Sequence, residues 1–128
     1  MIAAMRTARP TADIDRARDF YERLVGLPVL WSFVDHDGFD GIILGVPDET
    51  AQLELVKAPH DVIPSPTLED ALVLYCEPAT ATDVIGRLRT ASIREVRNDD
   101  PGLNPYWPRS GATTFVDPDG YRLIISQN

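Results

Sequence analysis

The stretch that decides the fold is NPYWPRSGATTFVDPDGYRLII, residues 104–125. Its segment Asp117-Pro118-Asp119-Gly120 is a strong turn signal, since proline pre-sets the turn at its second position and glycine closes it. Residues 112–116 and 121–126 are rich in β-branched and aromatic side chains, so the stretch predicts a β-hairpin. A terminal strand this apolar has to pair into a sheet, because an unpaired one would be an aggregation-prone edge.

Outward from this hairpin, the same order of elements occurs twice. Asp13 is placed to cap a helix that Gly26 ends, and three prolines within residues 58–69 mark a linker. The first set of predicted elements is a strand at 3–9, this helix, and strands at 28–35, 41–46 and 51–57. The second set is a strand at 71–77, a helix at 78–91, a strand at 93–97 and the two strands of the hairpin. Two βαβββ units in one chain predict an α+β fold with an internal repeat.

Composition limits the function classes. The net charge of -8 over 128 residues argues against nucleic-acid binding, which needs clustered lysine and arginine. Cys76 is the single cysteine and lies in an apolar run, which indicates a small buried thiol and excludes a disulfide framework. No apolar run approaches the ~18 residues that a bilayer span needs. We therefore expect a cytoplasmic protein with no membrane partner.

Strand alternation assigns side chains to two faces. Leu53 and Leu55 alternate with Gln52 and Glu54 in the fourth strand, and the last strand repeats this pattern. We expect the first pair to lie under the helices, together with Leu123 and Ile125. The other pair, together with Arg122 and Ile124, is expected to point away from the helices.

Paired βαβββ modules of this kind resemble the vicinal oxygen chelate superfamily, which includes glyoxalase I, bleomycin-resistance proteins, fosfomycin-resistance enzymes and extradiol dioxygenases. The features that carry the resemblance are ARPTADIDRARDFYERLVGLPV at 8–29, QLELV at 52–56 and FVDPDGYRLII at 115–125. HDGFDG and NPYWPRSG are similar to a bacterial, bleomycin-resistance-like subgroup. The resemblance implies one domain of two modules, about 1–58 and 70–128, whose sheets curve around a cavity. It also implies a homodimer.

The same resemblance implies a divalent metal held by four inward side chains, mostly histidine and glutamate. Carried over position by position, the ligand positions are Arg6, Glu54, Ala71 and Ile124, of which Glu54 alone matches. One carboxylate without an imidazole does not hold a transition metal tightly, so we expect no metal and no other cofactor. Because a lone inward carboxylate is costly, we predict that Arg6 pairs with Glu54.

A metal-free cavity still has walls that can bind a ligand. Trp31, Phe33, Tyr106 and Trp107 offer flat apolar surface, and Trp107 lies in a proline-flanked loop of the kind that often closes binding sites. The full set of predicted ligand-binding residues is Arg6, Trp31, Phe33, Gln52, Glu54, Tyr106, Trp107, Arg122 and Ile124. The first hypothesis is therefore a bleomycin-resistance-like protein that binds a small organic molecule, and an acidic protein suits a cationic one.

Two enzymatic alternatives remain open. In the first, a lyase, isomerase or dioxygenase uses an incomplete metal site in which Glu54 is a ligand or the general base. In the second, Glu54 acts as the base of a metal-free acid–base reaction, such as a cyclisation or an epimerisation. Glu54 is the catalytic candidate in both alternatives.

Overall fold

The computed structural model describes residues 1–127 and has an α+β fold of two compact units, the first over Met1–Pro64 and the second beginning at Ser65. The first unit contains β1 (Met5–Pro10), α1 (Ile14–Arg18) continuing as a π-helical segment (Asp19–Val25), β2 (Val29–His36), β3 (Phe39–Gly45) and β4 (Ala51–Lys57). Its four-stranded sheet has the order β1-β4-β3-β2, with β1 parallel to β4 and the other pairs antiparallel. The predicted order βαβββ is confirmed.

The second unit has the same architecture. It contains β5 (Ala71–Cys76), α2 (Pro78–Thr90), β6 (Glu95–Val96), α3 (Tyr106–Arg109), β7 (Thr113–Val116) and β8 (Arg122–Gln127). Its sheet has the order β5-β8-β7-β6, with β5 parallel to β8. In both sheets the last strand lies beside the first, so the two units share one strand order.

The first helix begins and ends where the sequence indicates. The Asp13 carboxylate accepts a hydrogen bond of 3.1 Å from the backbone N–H of Arg16, which satisfies one of the unpaired amides at the helix start. Gly26 ends the π-helical segment with φ 89°, a left-handed conformation that glycine adopts without a Cβ clash. From β1, Arg9 Nη2 donates to the hydroxyl of buried Tyr21 at 2.6 Å, which ties the helix to the sheet.

The core of each unit lies between its helix and one face of its sheet. In the first unit, α1 packs against β3 and β4, and Leu53 and Leu55 are buried as alternation predicts. The side chains that share this core are Ala17, Phe20, Tyr21, Val25, Ile42 and Leu44. In the second unit, α2 packs against β5 and β8. Its core residues include Ala81, Val84, Leu88, Phe115, Leu123 and Ile125.

The turn before β8 is held by one side chain. Asp117 Oδ1 accepts hydrogen bonds from the backbone N–H groups of Asp119, at 2.8 Å, and of Tyr121, at 2.9 Å. Asp117 also donates its own N–H to the Tyr121 carbonyl at 2.7 Å, and Gly120 has φ 90°. The aspartate therefore organises the turn that brings β8 back beside β7.

Several predicted boundaries differ from the structure: the strand predicted at 93–97 is only Glu95–Val96, and the strand predicted from residue 3 begins at Met5. Two further differences have identifiable reasons. Pro10 belongs to β1 instead of ending it, because β1 is an edge strand and proline is tolerated where no further strand pairs. The stretch predicted as an irregular loop contains α3, one short helical turn. Asn104 Oδ1 accepts the Tyr106 N–H at 3.0 Å, and Pro108 is tolerated because first-turn amides lack helical acceptors. No helix within residues 1–127 is long and apolar enough to span a bilayer.

Candidate functional site

The candidate site lies on the face of the first sheet that is opposite its helix, here called the open face. Strand register places Arg6 beside Gln52, and it places Glu54 beside Ile43, which in turn pairs with Trp31. Directly paired residues point to the same side of a sheet. Arg6, Gln52, Glu54 and Trp31 therefore share the open face, which confirms the face predicted for Gln52 and Glu54.

Three polar side chains on this face form one hydrogen-bonded group. Arg6 donates from Nε to Gln52 Oε1 at 2.9 Å and from Nη1 to Glu54 Oε1 at 3.0 Å. The side chain of Arg6 is 47% exposed and that of Glu54 is 19% exposed. The predicted pairing of Arg6 with Glu54 is confirmed, and the pair remains reachable from solvent.

Gln52 fixes the orientation of this group. Its Nε2 donates to the backbone carbonyl of Glu49 at 2.8 Å, while its Oε1 accepts from Arg6. Glu49 lies in the turn between β3 and β4 with φ 64°, and its N–H donates to the Val46 carbonyl at 2.9 Å. A backbone group in a tight turn therefore holds Gln52, and Gln52 holds the guanidinium of Arg6.

The aromatic part of the open face is built around a glycine. Phe33 pairs with Gly41 across β2 and β3, and a Cβ on Gly41 would lie within 2.8 Å of three atoms of the Phe33 ring. The ring thus lies directly over the Gly41 backbone. Trp31 lies two residues before Phe33 on β2, so it points to the same face, and it is 66% exposed. With strands spaced ~4.8 Å apart, Trp31 is roughly 10 Å from the Glu54 backbone, two strands away.

The residues present do not fit the metal that the family resemblance implies. Of the four corresponding positions, Glu54 alone carries a donor atom, and its Oε1 already accepts a hydrogen bond from Arg6. Among residues 1–127, no three histidine, cysteine, aspartate or glutamate side chains are grouped as metal ligands. This donor set is unsuited to a transition metal.

In the second unit, two predicted binding residues lie on β8. Arg122 is 8% exposed, and its Nη1 donates to the Gly102 carbonyl at 2.8 Å. Ile124 is 1% exposed and pairs with Val73 and Thr114 on the neighbouring strands. The guanidinium of Arg122 thus holds the backbone of the long loop before β7.

The other two predicted aromatics form a pair within α3. Tyr106 and Trp107 meet edge to face, with ring centroids 4.9 Å apart and planes at 88°. An open depression of about 410 Å³ beside them is lined by Asn104, Pro105, Tyr106, Arg109 and Ser110. Trp107 itself is half-buried. Its amide and carbonyl hold the helical turn, because its N–H donates to Asn104 and its carbonyl accepts from Ser110 Oγ.

Sequence reasoning missed Gly41 and Glu49 as parts of the open face. Gly41 is apparent only once β2 and β3 are in register, and Glu49 contributes a backbone carbonyl that any residue could supply. Cys76 lies on β5 of the second unit and is half-buried. Burial raises the pKa of the Cys76 thiol, which agrees with the inert role that its apolar surroundings indicate.

Comparison with known proteins places both units in one family. Residues 5–56 match the family model described as the YycE-like N-terminal domain, and residues 69–127 match the YycE-like C-terminal domain. The uncharacterized protein YycE of Bacillus subtilis is 33% identical over 125 residues, which cover 96% of this chain and 86% of the relative. A crystal structure of a YycE protein of unknown function from Bacillus subtilis superimposes with a TM-score of 0.83 at 31% identity. That match covers 98% of this chain and 89% of the other.

More distant structures share the glyoxalase-type fold. Glyoxalase I of Leishmania major matches with a TM-score of 0.68 at 20% identity, over 99% of this chain and 86% of that one. TnmS3, an antibiotic-binding protein of Streptomyces sp. CB03234, matches with a TM-score of 0.65 at 24% identity, over 97% and 93% of the two chains. The fold is therefore that of the glyoxalase, fosfomycin-resistance and bleomycin-resistance proteins, within which both an enzyme and a binding protein are found.

Proposed function

Because this chain belongs to the YycE-like family, with a glyoxalase-type fold, we propose that it binds a small organic molecule on the open face of its first sheet without a metal. The observation that carries the proposal is the ion pair between Arg6 and Glu54. It occupies two positions at which the resemblance expects metal ligands, and it remains partly exposed.

The neighbouring aromatic side chains support a binding role. Trp31 presents most of its indole to solvent, and the Phe33 ring covers Gly41 on the same face. Aromatic side chains beside a few convergent polar groups are the usual lining of a small-molecule site. TnmS3 is an antibiotic-binding protein with this fold, although a shared fold does not by itself decide function.

Thermal unfolding in the presence of Mn, Fe, Ni and Zn salts tests the metal-free part of the proposal. A metal present at 100 times its dissociation constant would stabilise the fold by roughly 2.7 kcal/mol. We expect no shift in the unfolding midpoint of the wild type with any of these salts. A shift that Glu54→Ala abolishes and Glu95→Ala preserves would contradict the proposal and would favour a metal-dependent enzyme.

Fluorescence tests where a ligand binds. The chain has two tryptophans, so Trp107→Phe leaves Trp31 as the reporter of the open face and Trp31→Phe leaves Trp107 as the reporter of α3. Titration with a panel of planar aromatic antibiotics should quench the Trp31 fluorescence of Trp107→Phe saturably. If only the Trp107 fluorescence of Trp31→Phe were quenched, the ligand would bind at α3 and not on the open face.

We also propose that the protein works as a cytoplasmic homodimer. Met5 and Val34 in the first unit are exposed apolar side chains, of the kind that a partner covers. Size-exclusion chromatography with light scattering should give twice the mass of the chain, and a monomer at micromolar concentration would contradict this part.

A further inference from the structure

Each partner of the ion pair keeps unused hydrogen-bonding capacity. Arg6 uses Nε for Gln52 and Nη1 for Glu54, and its Nη2 makes no hydrogen bond to any described residue. Glu54 accepts at Oε1, and its Oε2 likewise has no partner within residues 1–127. A guanidinium has five N–H donors and a carboxylate accepts on both oxygens. The ion pair therefore keeps one donor group, Arg6 Nη2, and one acceptor atom, Glu54 Oε2, that its own contacts do not use.

The charges of the two groups cancel locally. A cationic ligand that approached Glu54 would also approach the guanidinium of Arg6, whose Nη1 is 3.0 Å from Glu54 Oε1. An anionic ligand that approached Arg6 would meet the Glu54 carboxylate in the same way. The net charge of -8 attracts cations at long range, but salt screens it beyond ~8–10 Å. Contact with the pair itself therefore disfavours both signs of charge.

We infer that the ligand binds through an uncharged edge in which a hydrogen-bond acceptor adjoins a donor, as in a carboxamide, lactam or imide. The acceptor would take an N–H from Arg6 Nη2, and the donor would give its hydrogen to Glu54 Oε2. This inference rests on the proposed function and specifies the class of ligand. It replaces the cationic ligand that overall acidity alone favours.

Preorganisation strengthens this choice. Gln52 holds Arg6 and is itself held by the Glu49 carbonyl, so the donor edge is oriented before any ligand arrives. A group fixed in this way loses little conformational entropy on binding. A planar ligand edge that matches this donor edge therefore gains more binding free energy than a flexible charged group, which must displace one member of the ion pair.

Three probes with one ring and different head groups test the inference. Benzamide is neutral with an adjoining donor and acceptor, benzamidine is cationic and benzoate is anionic. Each is titrated into ¹⁵N-labelled full-length protein, and the signals followed are Arg6 Nε–H, the Gln52 side-chain amide and the Trp31 indole. We expect benzamide to bind at least about fivefold more tightly than either charged probe, because one further hydrogen bond contributes that much.

Charge variants give the head-group preference a predicted reversal. Glu54→Gln leaves Arg6 unpaired, so benzoate should become the tightest probe. Arg6→Gln leaves Glu54 unpaired, so benzamidine should become the tightest. The double variant Arg6→Gln, Glu54→Gln has no charge at either position, so benzamide should again be the tightest probe. Arg97→Gln breaks an exposed ion pair with Asp99 in the second unit and should leave the wild-type order unchanged.

The outcomes separate this inference from the proposed function. If a charged probe binds the wild type most tightly at these three signals, the open face is a binding site and the inferred ligand class is wrong. If no probe shifts any of the three signals up to its solubility limit, the open face is not a ligand site and both proposals fail. The wild-type order decides the matter even if a variant does not fold.

Discussion

Arg6 and Glu54 are 48 positions apart in the chain, yet Arg6 Nη1 donates to Glu54 Oε1 at 3.0 Å. They meet because β1 runs parallel to β4, with Arg6 opposite Gln52 and Ala8 opposite Glu54. The long arginine side chain reaches one pair further along the same face. Where the superfamily resemblance expects two metal ligands, this chain has a guanidinium and a carboxylate that neutralise each other.

The coupling between these two residues should be measurable. Since the pair is partly exposed, a double-mutant cycle with Arg6→Met and Glu54→Gln should give about 0.5–1 kcal/mol of interaction free energy by urea unfolding. Gln52→Ala should reduce the coupling, because Arg6 would lose the group that orients it. A cycle on the more exposed pair Arg97 and Asp99 serves as the comparison. Equal coupling in the presence and absence of Gln52 would contradict its positioning role.

Gly41→Ala should disturb the aromatic part of the open face. The new methyl group would overlap the Phe33 ring, which would have to swing away from the sheet, at a cost of roughly 1–2 kcal/mol in unfolding free energy. In a Phe33→Ala background the clash is absent, and Gly41→Ala should be neutral or stabilising, since alanine restricts the unfolded chain. The same penalty in both backgrounds would mean that the ring is not the obstacle.

Asp117→Ala should weaken the turn before β8. The substitution leaves the N–H groups of Asp119 and Tyr121 without the carboxylate oxygen that accepts from them, and we expect a loss of about 1–3 kcal/mol in urea unfolding. Asp117→Asn retains one acceptor oxygen and should lose less. Asp61→Ala removes an exposed aspartate of the linker and is the control. Equal losses for Asp117→Ala and Asp117→Asn would argue against the hydrogen-bond explanation.

The contribution of Glu95 should depend on pH. Hydrogen bonds from Arg89, at 2.8 and 2.9 Å, hold the pKa of Glu95 below the ordinary range of a glutamate. A depressed folded-state pKa stabilises the protein above the unfolded-state pKa, and this stabilisation is lost as the pH falls through the folded-state pKa. Near neutral pH, the free energy of urea unfolding of the wild type should exceed that of Arg89→Met by about 0.5 kcal/mol. The difference is small because solvent screens the ion pair. The difference should disappear in acid, and a constant difference would assign it to packing.

Local patterns in the sequence determined the elements and their order. Asp13 caps the first helix, Gly26 ends it, and Asp37-Gly38 makes the hairpin turn with φ values of 54° and 87°. Alternation also assigned Leu53 and Leu55 to the buried face. These features depend on side chains within a few residues of one another, so their physical cause is contained in a short stretch of sequence.

Only the tertiary structure decided which groups meet on the open face. The sequence placed Arg6 and Glu54 on the same face, but it contained no sign that Gln52 would be held by the Glu49 carbonyl or that the Phe33 ring would cover Gly41. These contacts depend on the register of β1 with β4 and of β2 with β3. Register is set by long-range strand pairing and by the apolar face that the sheet has to bury, and no short stretch of sequence contains that information.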